Sequence, residues 1–496
     1  MKRFIEGENR FQSTLFPESL EDYIAADNPV RVIDAFVDGL DLKQLGFDRA
    51  EPSETGRPGY EPAVMLKIYV YGYMNRLTTT RVLEQETHRN VDLIWLTGRL
   101  MPNYKTIGEF RRSNRKAVRR VCAEFVGICR DLKLFEQVIV AIDGSKFKAV
   151  NSRDKNFTRK SIKRRMKRLQ DHIDRYLTIL DEADKREPEE HKYTAEELAE
   201  KIASMKQQMG RLQLIEEQVQ THPDKQVSLT DPDARSMVKA GGGSTVGYNV
   251  QTAVDGKNHL IVAHEVTNAT TDRSQLSSMA KQAKAALSEE TTDQETEEAA
   301  EEGAEPEDVL TVVADAGYYK GEEIVECKNN GIKALVPKPN TSGSKAKGRY
   351  SKADFRYDAK ANEYICPAGE RLTYRYDSEE KGKTLSVYWT SRCSICPLKA
   401  GCTTGKERRI KRWEKEHILE AAAAELKKQP DAMRRRKAIV EHPYATIKHC
   451  MGATHFVMKR LPNVQAEMSL HVLAYNLKRV INIFGVPKLI AELQAA

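Results

Sequence analysis

Apolar residues along this chain follow two rhythms, a helical one at both ends and a strand-like one between. Val32, Ile33, Phe36 and Val37 form a stripe behind Asp27-Asn28-Pro29, and Met65, Leu66, Ile68, Tyr69 and Tyr73 form another behind Glu61-Pro62. Both read as helix starts, because proline fits a first turn whose amides have no intrahelical partner. Residues 78–87 and 104–121 continue the helical pattern, the latter as one run through TIGEFRRSNRKAVRRV. The rhythm then changes. VIVAIDGSKFKAV around Asp143 and VLTVVADAGYYKG around Asp315 are β-branched and small apolar runs, each ending on one aspartate and expected to turn at Gly144 or Gly317. Such runs suit central strands covered on both faces, with the carboxylate delivered to the sheet rim.

Further strands are expected at residues 147–152, at Tyr248 to Val254, at His259 to Val266 and at Ile332 to Val336, with Asp255-Gly256 as a hairpin turn. Between them lies a heptad-like pair of helices. Ile162, Met166, Leu169, Ile173, Tyr176 and Leu180 step by four and three, and Leu198, Ile202, Met205, Met209, Leu212 and Val219 repeat the pattern. DEADKREPEEHKYT is their turn, which makes an antiparallel coiled-coil hairpin inserted into the sheet. Past Arg408 the chain reads as helical through Trp413 to Lys428, around Glu441, and from Met468 to Phe484.

The fold class that results is α/β, a mixed sheet flanked by helices. Its parts are a helical DNA-binding domain over 1–130, a first core segment over 131–155 and the hairpin insertion over 156–225. The core continues over 226–340 with an acidic loop at 287–308, a cysteine-rich insertion covers 341–410, and C-terminal helices over 411–496 complete the core.

Charge sharpens this reading. The 496 residues carry a formal +8, yet Leu287 to Asp308 holds eleven acids and no Lys or Arg. Without it, 61 acids face 80 Lys and Arg, a net +19 that fits a polyanionic partner such as double-stranded DNA. Arg111, Arg115 and Arg119 stand at four-residue spacing, as a row that follows a phosphate backbone would. No run approaches the roughly 20 apolar residues of a membrane span, and the start lacks a signal peptide's apolar core. A cytoplasmic, nucleoid-associated location is expected.

Two strand-end aspartates need a third acid to form a metal cage. Glu441 is the candidate, sharing a helical face with Lys437, Ala445 and Lys448, with Pro443 marking a helix start or kink. Asp233 and Asp272 read as a turn former and a helix cap. Cys366, Cys393, Cys396 and Cys402 supply four thiols on short loops, matching one tetrahedral zinc site, with free thiols or an iron-sulfur cluster as alternatives.

AIDGS, VVADAGYYKG, VEHPYATIK and GGGSTVGYNVQTAVD together resemble the DDE transposases of bacterial insertion sequences, which are built on an RNase H-like core. The resemblance implies that Asp143, Asp315 and Glu441 are the catalytic acids and hold Mg2+ or Mn2+. It assigns Lys448 to the lysine that follows the glutamate. Where the family pattern carries a tyrosine and an arginine upstream, this chain has Arg434 and Lys437. Two divalent ions held by the acids would bracket one phosphodiester. The implied activity is binding the element's terminal inverted repeats, cutting there and joining the 3′ ends to target DNA, with Lys437 and Lys448 steadying phosphates. Working on two ends implies a homodimer or higher assembly on DNA. The alternatives are an RNase H-like nuclease without strand transfer, a non-catalytic DNA-binding protein derived from a transposase, and a structural assembly protein.

Overall fold

The computed structural model describes residues 19–51, 59–136, 139–183, 194–238, 242–288, 309–339 and 343–495. Nearly all of the acidic loop, and the turn expected between the paired helices, lie outside the described residues.

Among the described residues a 3-10 turn at Leu20–Tyr23 is followed by six α-helices: α1 (Val30–Asp38), α2 (Pro62–Met74), α3 (Thr80–Thr87), α4 (Val91–Leu96), α5 (Tyr104–Ser113) and α6 (Arg115–Asp131). Asn28 Oδ1 accepts from Val30 N at 3.0 Å, and Pro62 opens α2, as the sequence pattern requires. The run over 104–121 is two helices rather than one. Asn114 leaves helical geometry at φ −95°, ψ 27°, and its side chain caps the Phe110 carbonyl, so the faces of α5 and α6 do not continue into each other.

The main sheet is built from β1 (Ile139–Lys148), β4 (Arg235–Val238), β5 (Ser244–Asp255), β6 (Ile261–Thr267), β7 (Thr311–Val313) and β8 (Lys333–Leu335). Its order is β4-β5-β1-β7-β8, and β6 also pairs with β5. β5 and β6 form an antiparallel hairpin, β5 lies antiparallel to β1, and β7 and β8 continue parallel to β1. β1 does not end at Asp143. It runs on to Lys148, so of the separate strand expected at 147–152 only Phe147 and Lys148 are strand, as the end of β1, and 149–152 are irregular.

Between β1 and β4 stand β2 (Asn156–Thr158), α7 (Arg159–Ala183), α8 (Ala195–Thr221) and β3 (Gln226–Ser228). The start of α7 meets the end of α8 over Ile162, Leu212 and Val219, which makes the pair antiparallel. Thr194 and Glu197 form a reciprocal capping box at the start of α8. α9 (Leu276–Leu287) follows β6, and α10 (Gly321–Asn329) joins β7 to β8.

After α11 (Gly343–Ala346), the strands β9 (Arg356–Asp358), β10 (Glu363–Ile365), β11 (Arg371–Glu380), β12 (Lys383–Trp389) and β13 (Ile410–Trp413) make a second, antiparallel sheet. The helix expected from Trp413 therefore begins later, as α12 (Glu416–Lys428), because residues 410–413 complete this sheet. α13 (Ala432–Ala445), α14 (Leu461–Phe484) and α15 (Val486–Ala495) close the chain. Pro443 sits inside the last turn of α13. A π-helical stretch follows at Thr446–Cys450, where the Met451 amide reaches back to the Thr446 carbonyl.

One apolar core joins α1 to α6, the main sheet, α13 and α14. The N-terminal helices thus pack onto the sheet through α14 instead of forming a core of their own. The second sheet has a separate small core of Phe355, Tyr364, Leu372, Tyr388 and Ile410.

Candidate functional site

Asp143 lies in the middle strand and Asp315 just past the end of its parallel neighbour. The ladder between them ends at Ala141 opposite Val313. Each aspartate is therefore two residues beyond the last paired position, and the two carboxylates emerge side by side where β7 has stopped. Asp315 turns sharply there, its carboxylate accepting from Gly317 N at 2.7 Å to cap a 3-10 turn at Ala316–Tyr318.

Strand alternation divides the residues of β1 between two faces. Asp143, Ser145 and Phe147 face α13. Arg436 Nη2 lies 2.5 Å from Asp143 Oδ1 and 3.7 Å from Asp315 Oδ2, so one guanidinium nitrogen bridges both carboxylates. Tyr444 Oη sits 2.8 Å from the Val250 carbonyl and 3.1 Å from that of Asp143, pinning α13 across β5 and β1. Lys448 Nζ donates to Ser145 Oγ at 2.5 Å and lies 4.5 Å from the centre of the Phe147 ring.

Gly144 and Lys146 face the other side, toward the segment that leads into α9. Asp272 does not cap α9. It accepts from Asn249 Nδ2 at 2.6 Å and Gln251 Nε2 at 2.8 Å, and pairs with Lys146 Nζ at 3.1 Å. A Cβ on Gly144 would come within 2.5 Å of both Asp272 Oδ1 and Gln251 Nε2. Glycine follows Asp143 because this polar cluster crosses the strand, with no turn there. Asp233 serves structure instead, its carboxylate accepting from Leu461 N at 2.9 Å at the start of α14.

Burial pushes the Asp143 carboxyl up to about 6, with Arg436 opposing the rise and the charges of Asp315 and Asp272 adding to it. Two buried polar atoms at the site, Arg436 Nε and Asn249 Oδ1, have no partner among the described residues. Glu441 is on the helix that carries Arg436, but its side chain is 64% exposed and lies 3.7 Å from Lys437. Among the described residues no three His, Cys, Asp or Glu side chains are already grouped to hold a metal ion.

Two family models match the chain. One, a "Transposase domain (DUF772)", matches residues 18–113, and the other, a "Transposase DDE domain", matches residues 365–481. The chain belongs to the DDE transposases of insertion sequences. No curated protein and no solved structure matches it. The second match takes in Glu441 and Lys448 of this transposase, whereas Asp143 and Asp315 precede it.

The arginine row expected on one face of the transposase's N-terminal helices is split by the break at Asn114. Arg111 is buried, donates to Tyr73 Oη at 2.7 Å, and so does not face DNA. Arg115 donates to Asn463 Oδ1 at 2.7 Å, tying α6 to α14. Arg119 stays exposed and, with Lys116 and Arg120, lines an open groove of about 520 Å³ between α6, β6 and α9. Arg434 is exposed beside Asp431, and Lys437 is exposed beside Glu441, so neither reaches the aspartates.

Sequence reasoning missed Arg436 and Tyr444, and it read Asp272, a candidate extra acid near the sheet, as a helix cap, which it is not. The signal for Arg436 was present, since it is spaced four and eight residues before Val440 and Tyr444 on the buried face of α13. An arginine on a buried face needs an acidic partner, and Asp143 is that partner. Nothing local marked the partners of Asp272, which come from β1 and β5.

Proposed function

We propose that this transposase binds the terminal inverted repeats of its own element, cleaves the DNA there and joins the freed 3′ ends to target DNA. The observation that carries the reading is the in-register pair Asp143 and Asp315 with one cationic nitrogen between them, in a chain of the DDE family. The sheet order also supports it. A hairpin beside the central strand, followed by two parallel strands on its other side, is the arrangement expected of an RNase H-like core.

The residues fit a divalent ion. Two carboxylates already share a positive group, the Arg436 guanidinium, whose buried Nε has no partner among the described residues. Asp143 and Asp315 would hold Mg2+ or Mn2+, with Glu441 from α13 as the third acid. When bound, such an ion supplies Lewis-acid stabilisation of charge on the phosphodiester.

The chain's own residues do the rest. Arg436 neutralises the paired acids before the ion arrives, and its guanidinium then suits a phosphate oxygen of the bound DNA. Tyr444 fixes the height of α13 over β1. Lys437, beside Glu441 on the exposed side of α13, and Lys448, just past the end of α13 and over Ser145, steady phosphates. Lys116, Arg119 and Arg120 give the protein a cationic groove for the duplex backbone. The transposase acts as a homodimer or larger assembly on paired ends.

The test is cleavage and joining of a fragment carrying the element's end, with Mg2+ or Mn2+, by the intact chain and by Asp315→Asn. Metal-dependent cutting and joining that the variant loses is the expected result. Cutting without joining would leave a nuclease, and binding without cutting by either chain would leave a DNA-binding protein.

A further inference from the structure

The four cysteines of the second sheet come from three separate turns. Cys366 directly follows β10, where Gly369 N donates back to its carbonyl at 2.9 Å and Gly369 takes φ +82°. Cys393 and Cys396 lie in and just after a short helical turn at 391–394. Cys402 closes the next turn, donating its N–H to the Lys399 carbonyl at 3.0 Å. All four border the same cavity of about 30 Å³, room for one ion or one water. None is in a disulfide, and each is half-buried.

We propose that Cys366, Cys393, Cys396 and Cys402 bind one structural zinc ion at this cavity. Charge favours it. Four thiolates around Zn2+ carry a net −2, and Lys399 and Arg408 border the same cavity. Arg408 Nε is buried there without a partner, a donor suited to a ligating sulfur. Binding releases the four thiol protons to solvent and changes no oxidation state. The thiols border the cavity without yet standing at ligand spacing, so the ion draws them in to about 2.3 Å.

The need is structural. Five buried residues make up the core of this sheet, with Cys366 and Cys402 packed at its edge. A core that small gains from a metal staple. The sheet in turn grips the main site's surroundings. Trp413 packs against Gly321, where an added Cβ would lie 3.0 Å from the ring, and Lys383 pairs with Glu322 at 2.5 Å. Gly321 and Glu322 open α10, just past the Asp315 turn, while β13 leads through α12 into α13. Zinc thus holds the link between Asp315 and the helix of Arg436 and Glu441, whatever chemistry those residues perform.

The test uses the full chain, purified without chelator. Elemental analysis should find about one zinc per chain, and exchange for Co2+ should give the thiolate charge-transfer and tetrahedral visible bands of a sulfur-ligated site. Cys393→Ser and Cys396→Ser should lose the ion, and Cys450→Ser should keep it. Should those two variants fail to fold, alkylation of the intact chain decides: the four thiols should be protected until a chelator is added, while Cys450 reacts at once. Metal-free protein that takes up neither zinc nor cobalt under reducing conditions overturns the proposal, as would iron in place of zinc.

Discussion

Asp143 and Asp315 occupy equivalent positions on adjacent parallel strands, each two residues past the final pair of the ladder, Ala141 and Val313. Neither side chain needs a long reach to meet the other, because the register alone brings them together. Asp315→Asn keeps an oxygen to accept from Gly317 N, so melting should shift little. DNA cleavage should nevertheless fall about a thousandfold or more, the effect of losing several kcal/mol of charge stabilisation. Equal cleavage by Asp315→Asn and the intact chain would remove Asp315 from the catalytic set.

The Asp143 carboxyl, held near 6 by burial, sets a pH dependence. Around it stand Arg436, Asp315, Asp272, Lys146 and Tyr444. Its folded value is raised above the unfolded one, so in the window between about 4 and 6 the native state holds the extra proton. The contribution of Asp143 to stability is therefore lost as pH rises through that window, on the order of 3 kcal/mol at most. Metal-free protein should show this downward component in thermal melts, and Asp143→Asn should flatten it. Mn2+ binding requires the ionised form and should weaken below about pH 6.

Arg436 neutralises the acids, so removing it leaves two neighbouring carboxylates uncompensated. Arg436→Ala should cost about 3 kcal/mol in the absence of metal. Added Mn2+ should raise the melting temperature of this variant more than that of the intact chain, since the ion meets no competing guanidinium. A smaller metal-induced shift in the variant would mean that Arg436 does not occupy the ion's position.

How far the sequence anticipates this site depends on whether its determinants are local. The strands bearing Asp143 and Asp315 are legible because a buried strand must be apolar throughout, and the helix starts at Pro29 and Pro62 follow from missing amides. The faces of α5 and α6 are not legible, because one residue, Asn114, breaks a pattern that continues across it. Gly144 looks like a turn signal, yet it is the close approach of Asp272 and Gln251 that demands it, and those partners come from residues more than a hundred positions away. The helical reading of 410–413 fails for the same reason, since a four-residue strand owes its existence to β12.

The break at Asn114 separates binding from stability. Lys116 and Arg119 are exposed, so replacing either with Ala should leave melting unchanged and lower the dependence of log K on log salt by about 0.9 for each phosphate no longer neutralised. Arg111 behaves oppositely. It is buried against Tyr73 and Tyr69, with the buried carboxylate of Glu467 close enough for Arg111 to oppose the upward push that burial gives it. Arg111→Ala should destabilise the chain by about 3 kcal/mol. Fluorescence titrations on an end-bearing duplex at several salt concentrations, beside thermal melts, read both quantities.

Gly144 gives the most local test of the polar cluster beneath the aspartates. In Gly144→Ala the new methyl would meet Asp272 Oδ1 and Gln251 Nε2 at 2.5 Å. Those groups cannot simply swing away, because Asp272 is held at once by Asn249, Gln251 and Lys146, and Gln251 accepts from Tyr318 Oη. Either β1 shifts, displacing Asp143 from Arg436, or the cluster opens and leaves buried polar groups unpaired. Both routes cost about 1 to 3 kcal/mol. The melting temperature should fall, and cleavage at a temperature where the variant is still folded should fall with it. Gly317→Ala is the informative contrast. Its methyl would meet the exposed Asp315 carboxylate at 2.9 Å, a single side chain with room to rotate, so stability should hold while cleavage drops. If Gly144→Ala melts like the intact chain, the cluster around Asp272 is loose and does not position Asp143.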